Sequence, residues 1–460
     1  MIFDMNTLLL KNFFRSKGLM IGLLFLLGAG LVSLHIGKLF LDKNQEIIEK
    51  TAHYQQESIA RNVKFHPKEI GLLLYYVRFG LVNEMSPLAG LSMGQRDVHP
   101  SLQSVTIRNL EEQKYETDLM NPMYQLLGNL DFSFVLICFF PLIIIAFCFN
   151  LISEEKEGGT WSLVLSQSSR PLSMIKAKIL IRYASVLSVL VLLLVVASVY
   201  LHLPLDAALL AFALTSILYV SFWFALAWLV VSFQKNSSQN ALILLLSWVL
   251  LTLVAPATIN ALTLHLYPVP EAFSVVLESR DGYHNKWDEP KEPTVAKFHQ
   301  HYPQFSQYQH PEGKDYSWLW YYAMQQMGDD EAAPDALALK EKLQKRNRLS
   351  SIVGLFFPTV HVQLSLNALS LSDMDNYLHF LEKLEDFHEQ KRLYFYPKIF
   401  TEVPVVSEKW AAFGLEYYRE KVEVQWLKML LPLLIITGLC LGWASLKFNK
   451  NGNEENFKLS

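Results

Sequence analysis

The sequence predicts an α-helical polytopic membrane protein, with six transmembrane helices and a mostly helical extracytoplasmic domain assembled from two insertions. Apolar runs of about 20 residues, the length that crosses a bilayer as a helix, recur along the chain. Two long polar segments separate some of these runs. The chain of 460 residues is 52% apolar, which is too apolar for an ordinary soluble protein and too polar for membrane spans alone.

The apolar runs define the predicted spans, which are 18–39, 132–152, 179–203, 206–233, 239–264 and 427–447. Each must be a helix, because backbone groups in hydrocarbon are satisfied only within the segment. Residues 1–17 place Ile2, Met5, Leu9 and Phe13 on one face. This pattern predicts an amphipathic cytoplasmic interface helix, with a frayed terminus as the alternative. The run that follows is too long for the core of a cleavable signal.

The short flanks of the spans set the orientation. Their basic residues precede the first span, separate the second from the third and the fourth from the fifth, and follow the sixth: Lys11, Arg15, Lys17, Lys156, Arg170, Lys176, Lys178, Arg182, Lys235, Lys447, Lys450 and Lys458. With six spans these flanks share one side, which the positive-inside rule makes cytoplasmic. Both termini, including the tail 448–460, are then cytoplasmic, and segments 40–130 and 265–426 are extracytoplasmic.

The two extracytoplasmic segments are together long enough for one domain, and we expect them to fold together. In the first segment a helix is predicted at 43–61. The second is expected to open with loops over 268–318 and then to become helical. Residues 372–375 (Ser-Asp-Met-Asp) resemble a capping box. A last helix is predicted from about Ser407 into the sixth span.

Several functions lack support in the sequence. No basic block suggests nucleic acid, and the formal net charge is −3. Without a Gly-x-x-x-x-Gly-Lys-Ser/Thr loop the chain cannot bind ATP in the usual way, so it is not expected to be an enzyme or to hold a cofactor. No His-Glu-x-x-His zinc motif occurs, and the outer histidines read as solvated loop residues rather than as metal ligands: His299, His301 and His310.

The segment 153–178, between the second and third spans, is the most informative stretch. Gly158 and Gly159 are expected to end one helix, and Thr160 to cap the next. Trp161 can bury at the membrane interface, leaving the glutamates before it to face the cytoplasm. The alternative is a solvated loop with incidental glutamates.

These residues resemble a known family. Residues 155–160 (Glu-Lys-Glu-Gly-Gly-Thr), residues 163–167 (Leu-Val-Leu-Ser-Gln) and Lys178 are similar to the cytoplasmic signature of type-2 ABC transporter permeases (ABC-2 type). Ser168, Pro171 and Ala177 depart from that signature. Further stretches resemble a bacterial, gliding-motility-permease-like subgroup with two large extracytoplasmic insertions and a domain of unknown function: 86–89, 94–97, 121–122, 128–132 and 357–381.

The resemblance implies a function and a set of partners. The chain would be the permease of an ATP-driven exporter in the bacterial inner (plasma) membrane. Its partners would be two copies of an ABC ATPase, which hold ATP and Mg, and a second permease, identical or related. The residues implied in ATPase coupling are Glu154, Glu155, Glu157, Gly158, Gly159, Thr160, Ser166, Arg170 and Lys178. A possible outer gate or interface comprises Asn121, Pro122 and Asp131.

Two alternatives remain open at this point. One is a non-transporting, mechanical permease that serves as the scaffold of an envelope machine. The other is a membrane-anchored enzyme with an extracytoplasmic site, although no catalytic constellation is visible. Within the spans, Pro141 and Pro256 are expected to kink helices. Gly22, Gly28 and Gly30 allow close helix approach and are candidates for a contact with the second permease.

Overall fold

The computed structural model of the protein describes residues 2–114, 130–162 and 171–458. Among these residues, six helical segments are long and apolar enough to cross a membrane. In chain order these first to sixth spans lie within Lys17–Phe65, Phe132–Glu157, Leu172–Tyr200, Ala207–Ser232, Ser237–Leu266 and Trp426–Lys450. The predicted fold class, a mostly helical protein with six spans and further helices, is confirmed.

A short helix, Ile2–Arg15, precedes the first span. The first span belongs to one continuous helix, Lys17–Phe65, of 49 residues. At 1.5 Å per residue this helix is about 74 Å long, so it extends far beyond a hydrocarbon core of about 30 Å. The helix predicted at 43–61 is therefore a continuation of the first span and not a separate element.

The second and fifth spans each contain a π-helical turn just before a proline. Val135–Phe139 precedes Pro141, and Leu250–Val254 precedes Pro256. Proline lacks an N–H and its ring crowds the preceding turn of an α-helix, and a wider turn relieves both problems. The irregularities expected at these prolines thus take the form of π-helical turns. The α-helical parts of these spans are Phe132–Phe134, Phe140–Cys148, Ser237–Val249 and Ala255–Leu266.

The second and fourth spans form the centre of the bundle. Their most apolar stretches are 61% and 56% buried, against 17% for the sixth span. Large side chains fill this centre, and several are fully buried: Phe132, Phe140, Phe212, Tyr219 and Trp223. The third span belongs to the helix Pro171–Tyr200 and the sixth to Trp426–Lys458.

The short connections between spans lie together at one end of the bundle. Lys156, after the second span, donates a hydrogen bond to Gln234, after the fourth, over 2.7 Å. The ring of Phe448, near the end of the sixth span, lies 4.7 Å from that of Trp228. At the N-terminal helix, Phe13 packs against Phe147 at 6.3 Å. We call this end, where the basic flanks converge, the basic end.

At the opposite end, the two long polar segments share one core, which we call the insertion domain. A three-stranded sheet joins them in the order β2-β1-β3. Strands β1 (Phe79–Asn83) and β2 (Leu102–Val105) come from the first segment and pair antiparallel. Strand β3 (Glu416–Tyr418) comes from the second segment and pairs parallel to β1. The helices of the domain are Ile70–Tyr76, Leu110–Lys114, Glu271–Asn285, Lys291–His301, Trp318–Gly354 and Met374–Phe400, with 3-10 turns at Pro87–Gly90, Pro303–Phe305, Val405–Ser407 and Trp410–Ala412.

Three sequence expectations are wrong in this domain. Residues 268–318 are not mainly loops, because Val275, Val295 and Phe298 bury in two helices that pack on Trp318–Gly354. The helix at Met374 is capped by Asp373, whose carboxylate accepts from the N–H of Asn376 at 3.2 Å. The expected capping box therefore does not form.

The helix predicted from Ser407 into the sixth span is also absent from this described stretch. Trp410 stacks on Phe395 and donates its indole N–H to the carbonyl of Val405 at 2.8 Å. This packing holds the chain in 3-10 turns, and the pairing of Tyr417 with Val82 then keeps it extended. The sixth span begins only at Trp426.

One helix of the second segment, Pro358–Leu369, packs among the spans, and we call it the wedge helix. The hydroxyl of Thr359 lies 3.5 Å from that of Tyr219 in the fourth span. A ring nitrogen of His361 lies 2.8 Å from the carbonyl of Met429 in the sixth. Val360 packs against Ala255 and Ile259 of the fifth.

Two of the three glycines expected to contact a second permease are packed within the chain. A Cβ added at Gly22 would lie 2.7 Å from Phe147, and one at Gly30 would lie 2.4 Å from Leu193. At Gly28 an added Cβ would have no described atom within 4 Å.

Gly37 allows a close backbone approach between the first span and the insertion domain. A Cβ at this position would lie 1.8 Å from the carbonyl oxygen of Gly90. Gly37→Ala should therefore force the two segments apart and destabilise the protein by about 1–3 kcal/mol. The measurement is the thermal unfolding midpoint of the purified protein in detergent.

Gly28→Ala is the matched control, because the same change in the same helix meets open space. It should leave the midpoint unchanged or raise it slightly, since alanine favours helix more than glycine. Equal midpoints for the two variants would contradict the close approach at Gly37.

Candidate functional site

The connection after the second span forms an acidic turn, residues 153–162. Its helix, Ser153–Glu157, ends at Gly158, whose N–H donates to the carbonyl of Glu154 at 2.9 Å. Gly159 follows with φ of 73°, a left-handed conformation that glycine adopts without strain. The glycines thus end the helix as the sequence predicts.

Glu155 ties the acidic turn to the third span. Its Oε1 accepts a hydrogen bond and ion pair from the Nζ of Lys178 at 2.6 Å. Its Oε2 accepts from the hydroxyl of Thr160, and its carbonyl accepts from the Thr160 N–H at 3.0 Å. Both partners are less than a quarter exposed, so the ion pair is better shielded from water than a surface pair. The sequence implied both residues in coupling, and the structure brings them together.

Glu157 ties the same turn to the fifth span. One carboxylate oxygen accepts from the N–H of Ser237, and the other from its hydroxyl, both at 2.8 Å. Ser237 begins the helix of the fifth span, where unpaired N–H groups favour a negative charge. The Ser237 hydroxyl also lies 2.8 Å from that of Ser153, which closes the contact.

Lys156 adds a third anchor on the other side of the turn. Besides its bond to Gln234, its ammonium lies 5.6 Å from the ring centre of Trp161. Trp161 is half-buried against the core of the bundle. The expectation that Trp161 packs inward therefore agrees with the structure.

The sequence predicts that the glutamates of the acidic turn all face the cytoplasm, and the structure differs for one of them. Glu154, Glu157, Gly158, Gly159 and Thr160 are exposed, but Glu155 is half-buried and engaged with Lys178. The exposed apex consists of Gly158, Gly159 and Thr160. Ser166 and Arg170 lie outside the described residues, as do Asn121 and Pro122.

Asp131 joins the second span to the insertion domain. Its Oδ1 caps the span by accepting from the N–H of Phe134 and the hydroxyl of Ser133, each at 2.8 Å. Its Oδ2 accepts from the N–H of Met93 at 2.9 Å. Only 5% of Asp131 is exposed, so its carboxylate lies inside the protein, where it links the second span to the insertion domain.

A buried polar network continues from this joint into the wedge helix. The amide of Gln363 lies 3.4 Å from the Ser133 hydroxyl and 2.8 Å from Oδ1 of Asn367. Asn367 also accepts from the hydroxyl of Ser92 at 2.7 Å. Every one of these side chains is at least half-buried, and unpaired polar groups would be costly there.

Arg96 extends the network towards the sheet. Its Nε donates to the carbonyl of Leu371 at 2.9 Å, and its guanidinium also donates to the carbonyl of Asn83 at 3.1 Å. Burial lowers the pKa of Arg96 to about 10, so it remains charged at neutral pH. The sequence resemblance covered Arg96, Gln363 and Asn367 only as members of longer stretches, 94–97 and 357–381, and gave them no role. The signal was the alternation of polar and apolar residues from Thr359 to Asn367.

The expectation that the three outer histidines are solvated loop residues is wrong for two of them. His299 and His301 belong to the helix Lys291–His301, and His299 is half-buried there.

His301 and His310 have protein partners. The ring of His301 lies 3.1 Å from a carboxylate oxygen of Asp330, and this hydrogen bond raises the pKa of His301. His310 contacts the Ser317 hydroxyl at 2.7 Å and the Lys314 carbonyl at 2.8 Å. Over the described ranges, no cluster of three or more His, Cys, Asp or Glu side chains could hold a metal ion.

Two known protein families match the chain, over ranges that overlap slightly. A family described as "ABC-2 family transporter protein" matches residues 10–287. A second, described as "Domain of unknown function (DUF3526)", matches residues 272–414. No curated protein and no solved structure matches the chain.

The first match carries the classification. It covers more than half of the chain, including five of the six spans and the whole acidic turn. The second match covers most of the second insertion segment, including the wedge helix. The chain therefore belongs to the ABC-2 transporter permease family, as a multi-pass membrane subunit that lacks an ATPase domain.

Proposed function

We propose that this permease is driven by a separate ABC ATPase that docks on the acidic turn, and that it works as an exporter. The observation that carries the proposal is the anchoring of the turn by two of its glutamates. Glu155 binds Lys178 of the third span and Glu157 binds Ser237 of the fifth, while the apex is exposed. A force on the apex therefore reaches two further spans.

The motion that follows is a rigid-body switch. Two ATPase copies, which hold ATP and Mg, close on each other and move two acidic turns, one from this permease and one from a second permease, identical or related. Packed helices respond to such a displacement by tilting as units, since their cores do not deform continuously. The π-helical turns in the second and fifth spans are the local irregularities that accommodate the tilt.

The wedge helix carries that motion to the insertion domain. It contacts the second, fourth, fifth and sixth spans, and its polar side chains hydrogen-bond to Ser133 and to the carbonyl of Met429. A tilt of those spans therefore displaces the wedge helix, and the insertion domain gates the release of the substrate on the far side. Asp131 is the joint about which the second span moves.

The orientation proposed is the one that the basic flanks predict. The basic end faces the cytoplasm with both termini, and the insertion domain is extracytoplasmic, in a bacterial inner membrane. The convergence of the short basic connections at a single end supports this orientation.

A second candidate function is mechanical. The insertion domain has a continuous aromatic core and its own sheet, and it stands on a 49-residue helix shared with the first span. Such a rigid platform also suits a gliding-motility-like scaffold that transmits force to envelope proteins without moving a substrate. Stable co-purification with envelope proteins and no substrate flux would distinguish it from the exporter.

Removing the two anchoring carboxylates tests the docking site. Glu155→Ala combined with Glu157→Ala should lower recovery of the ATPase in an affinity pull-down about tenfold, because the turn loses its hold on the third and fifth spans. The permease should stay folded, as judged by size-exclusion chromatography.

The control is Glu46→Ala with Glu49→Ala, two exposed glutamates on the part of the helix Lys17–Phe65 that extends beyond the first span. These changes remove the same charge from the same chain and should leave ATPase recovery intact. Unchanged recovery with the Glu155 and Glu157 variant would refute docking at the acidic turn.

His361→Leu tests transmission through the wedge helix. It removes the contact with the Met429 carbonyl in the sixth span. ATPase recovery should remain normal while ATP hydrolysis by the intact complex, measured in proteoliposomes, falls several-fold. His265→Leu, at an exposed position near the end of the fifth span, should leave hydrolysis unchanged. Equal ATP hydrolysis in the two variants would contradict transmission through the wedge helix.

Cysteine labelling tests the orientation. Ala60→Cys and Ala296→Cys are exposed in the insertion domain and should react with an impermeant maleimide in intact cells. Ser162→Cys, in the acidic turn, should react only after permeabilisation. The three native cysteines lie within the spans and give the background signal. If either Ala60→Cys or Ala296→Cys failed to react in intact cells, the proposed topology would be wrong.

A further inference from the structure

A cleft of about 950 Å³ opens at the basic end, between the N-terminal helix and the first three spans. Its volume falls within the range of small-molecule sites in proteins. Its walls combine charged side chains from the second and third spans with apolar ones from the first and second. The charged members are Glu154, Glu155, Lys178 and Arg182.

Two of these four charges are occupied by each other. Glu155 and Lys178 form the ion pair that holds the acidic turn. Arg182 donates to the carbonyl of Phe147, the one acceptor found for it among the described residues. A guanidinium carries five N–H donors, so most of its capacity is left for a ligand.

An acidic group lies on the same cleft wall. Glu154 accepts one long hydrogen bond, 3.3 Å from the amide of Asn150, to a single carboxylate oxygen. Arg182 lines the same cleft as Glu154. The cleft therefore presents one available cation beside one available anion.

The other end of the cleft is apolar and opens sideways. Leu19, Phe25, Ile143 and Phe147 line it. Ile21 and Phe25 are 66% and 49% exposed, so this rim faces the surroundings of the bundle. From Gly18 to Phe25 the helix rises about 10 Å. The wall of the cleft that the first span forms therefore extends from the basic end into the hydrocarbon core of the bilayer.

We propose that this cleft binds a zwitterionic phospholipid with a primary ammonium in its head group. Arg182 binds the phosphate through two N–H donors, and Glu154 accepts from the ammonium. The acyl chains leave along Leu19 and Phe25. The order of polar and apolar walls matches the order of head group and chain in a membrane leaflet.

The charge pattern selects among head groups. A head group with net negative charge would lie beside Glu154 without offering it a cation. A quaternary ammonium has no N–H to donate to Glu154. A primary ammonium fits both requirements, because it is cationic and carries three donors.

Occupancy of the cleft affects the acidic turn, because Glu155 and Thr160 of the turn line the cleft, as does Lys178, the partner of Glu155. A bound head group excludes water from their contacts and so strengthens them. The binding site does not depend on ATPase docking and can be tested on the permease alone.

The test is native mass spectrometry of the delipidated full-length permease, titrated in detergent with synthetic phosphatidylethanolamine. One lipid should bind per chain. Arg182→Gln and Glu154→Gln should each weaken binding about tenfold, the loss expected for one charge-assisted contact. Lys176→Gln, at an exposed position on the same helix but outside the cleft, should bind as the unmodified protein does.

Different probes distinguish the possible ligands. Phosphatidylglycerol and phosphatidylcholine should bind at least tenfold more weakly than phosphatidylethanolamine, and millimolar inorganic phosphate should not compete. Tighter binding of phosphatidylglycerol, or displacement by free phosphate, would overturn the proposal. Equal affinities of the Arg182 and Lys176 variants would also overturn it. If Arg182→Gln lowers the unfolding midpoint, Glu154→Gln decides the matter alone, because Glu154 is exposed and needs no repacking.

Discussion

The structure depends on the requirement that every backbone polar group within a bilayer find a partner in the protein. Helical hydrogen bonds meet this requirement along most of each span. The exceptions lie at two prolines. Pro141 and Pro256 each remove a donor, and the π-helical turn before each proline absorbs the disturbance. The wedge helix packs beside both turns, so the least regular backbone in the bundle is also where the insertion domain enters it.

The same requirement governs the joint between the bundle and the insertion domain. Asp131 supplies the N–H groups at the start of the second span with an acceptor and also binds Met93. Gln363, Asn367 and Ser92 continue the network without leaving the interior. Because a half-satisfied buried network is costly, these side chains fix the relative position of span and domain more sharply than apolar packing would.

At the basic end, charged side chains hold the acidic turn to the membrane-spanning bundle. Glu155 and Glu157 are used within the chain, which makes the acidic turn a rigid part of the bundle and leaves its glycine apex as the exposed feature. Glu154 and Arg182 remain available at the adjacent cleft. One short acidic stretch thus borders two surfaces, the apex at which we propose that an ATPase docks and the cleft at which we propose that a lipid binds.

The sequence by itself determined the six spans, the grouping of their basic flanks and the glycine turn at residues 158–159, because hydrophobic length, charge and glycine are local signals. Only the tertiary structure decided that Glu155 and Glu157 bind Lys178 and Ser237, that the 268–318 stretch is helical, and that residues 410–418 leave the helix for turns and a strand. Those outcomes depend on partners far away in the chain, such as the stacking of Trp410 on Phe395 and the pairing of β3 with β1. Local pattern cannot report such contacts, because the same residues form a helix or a strand according to what they bury against.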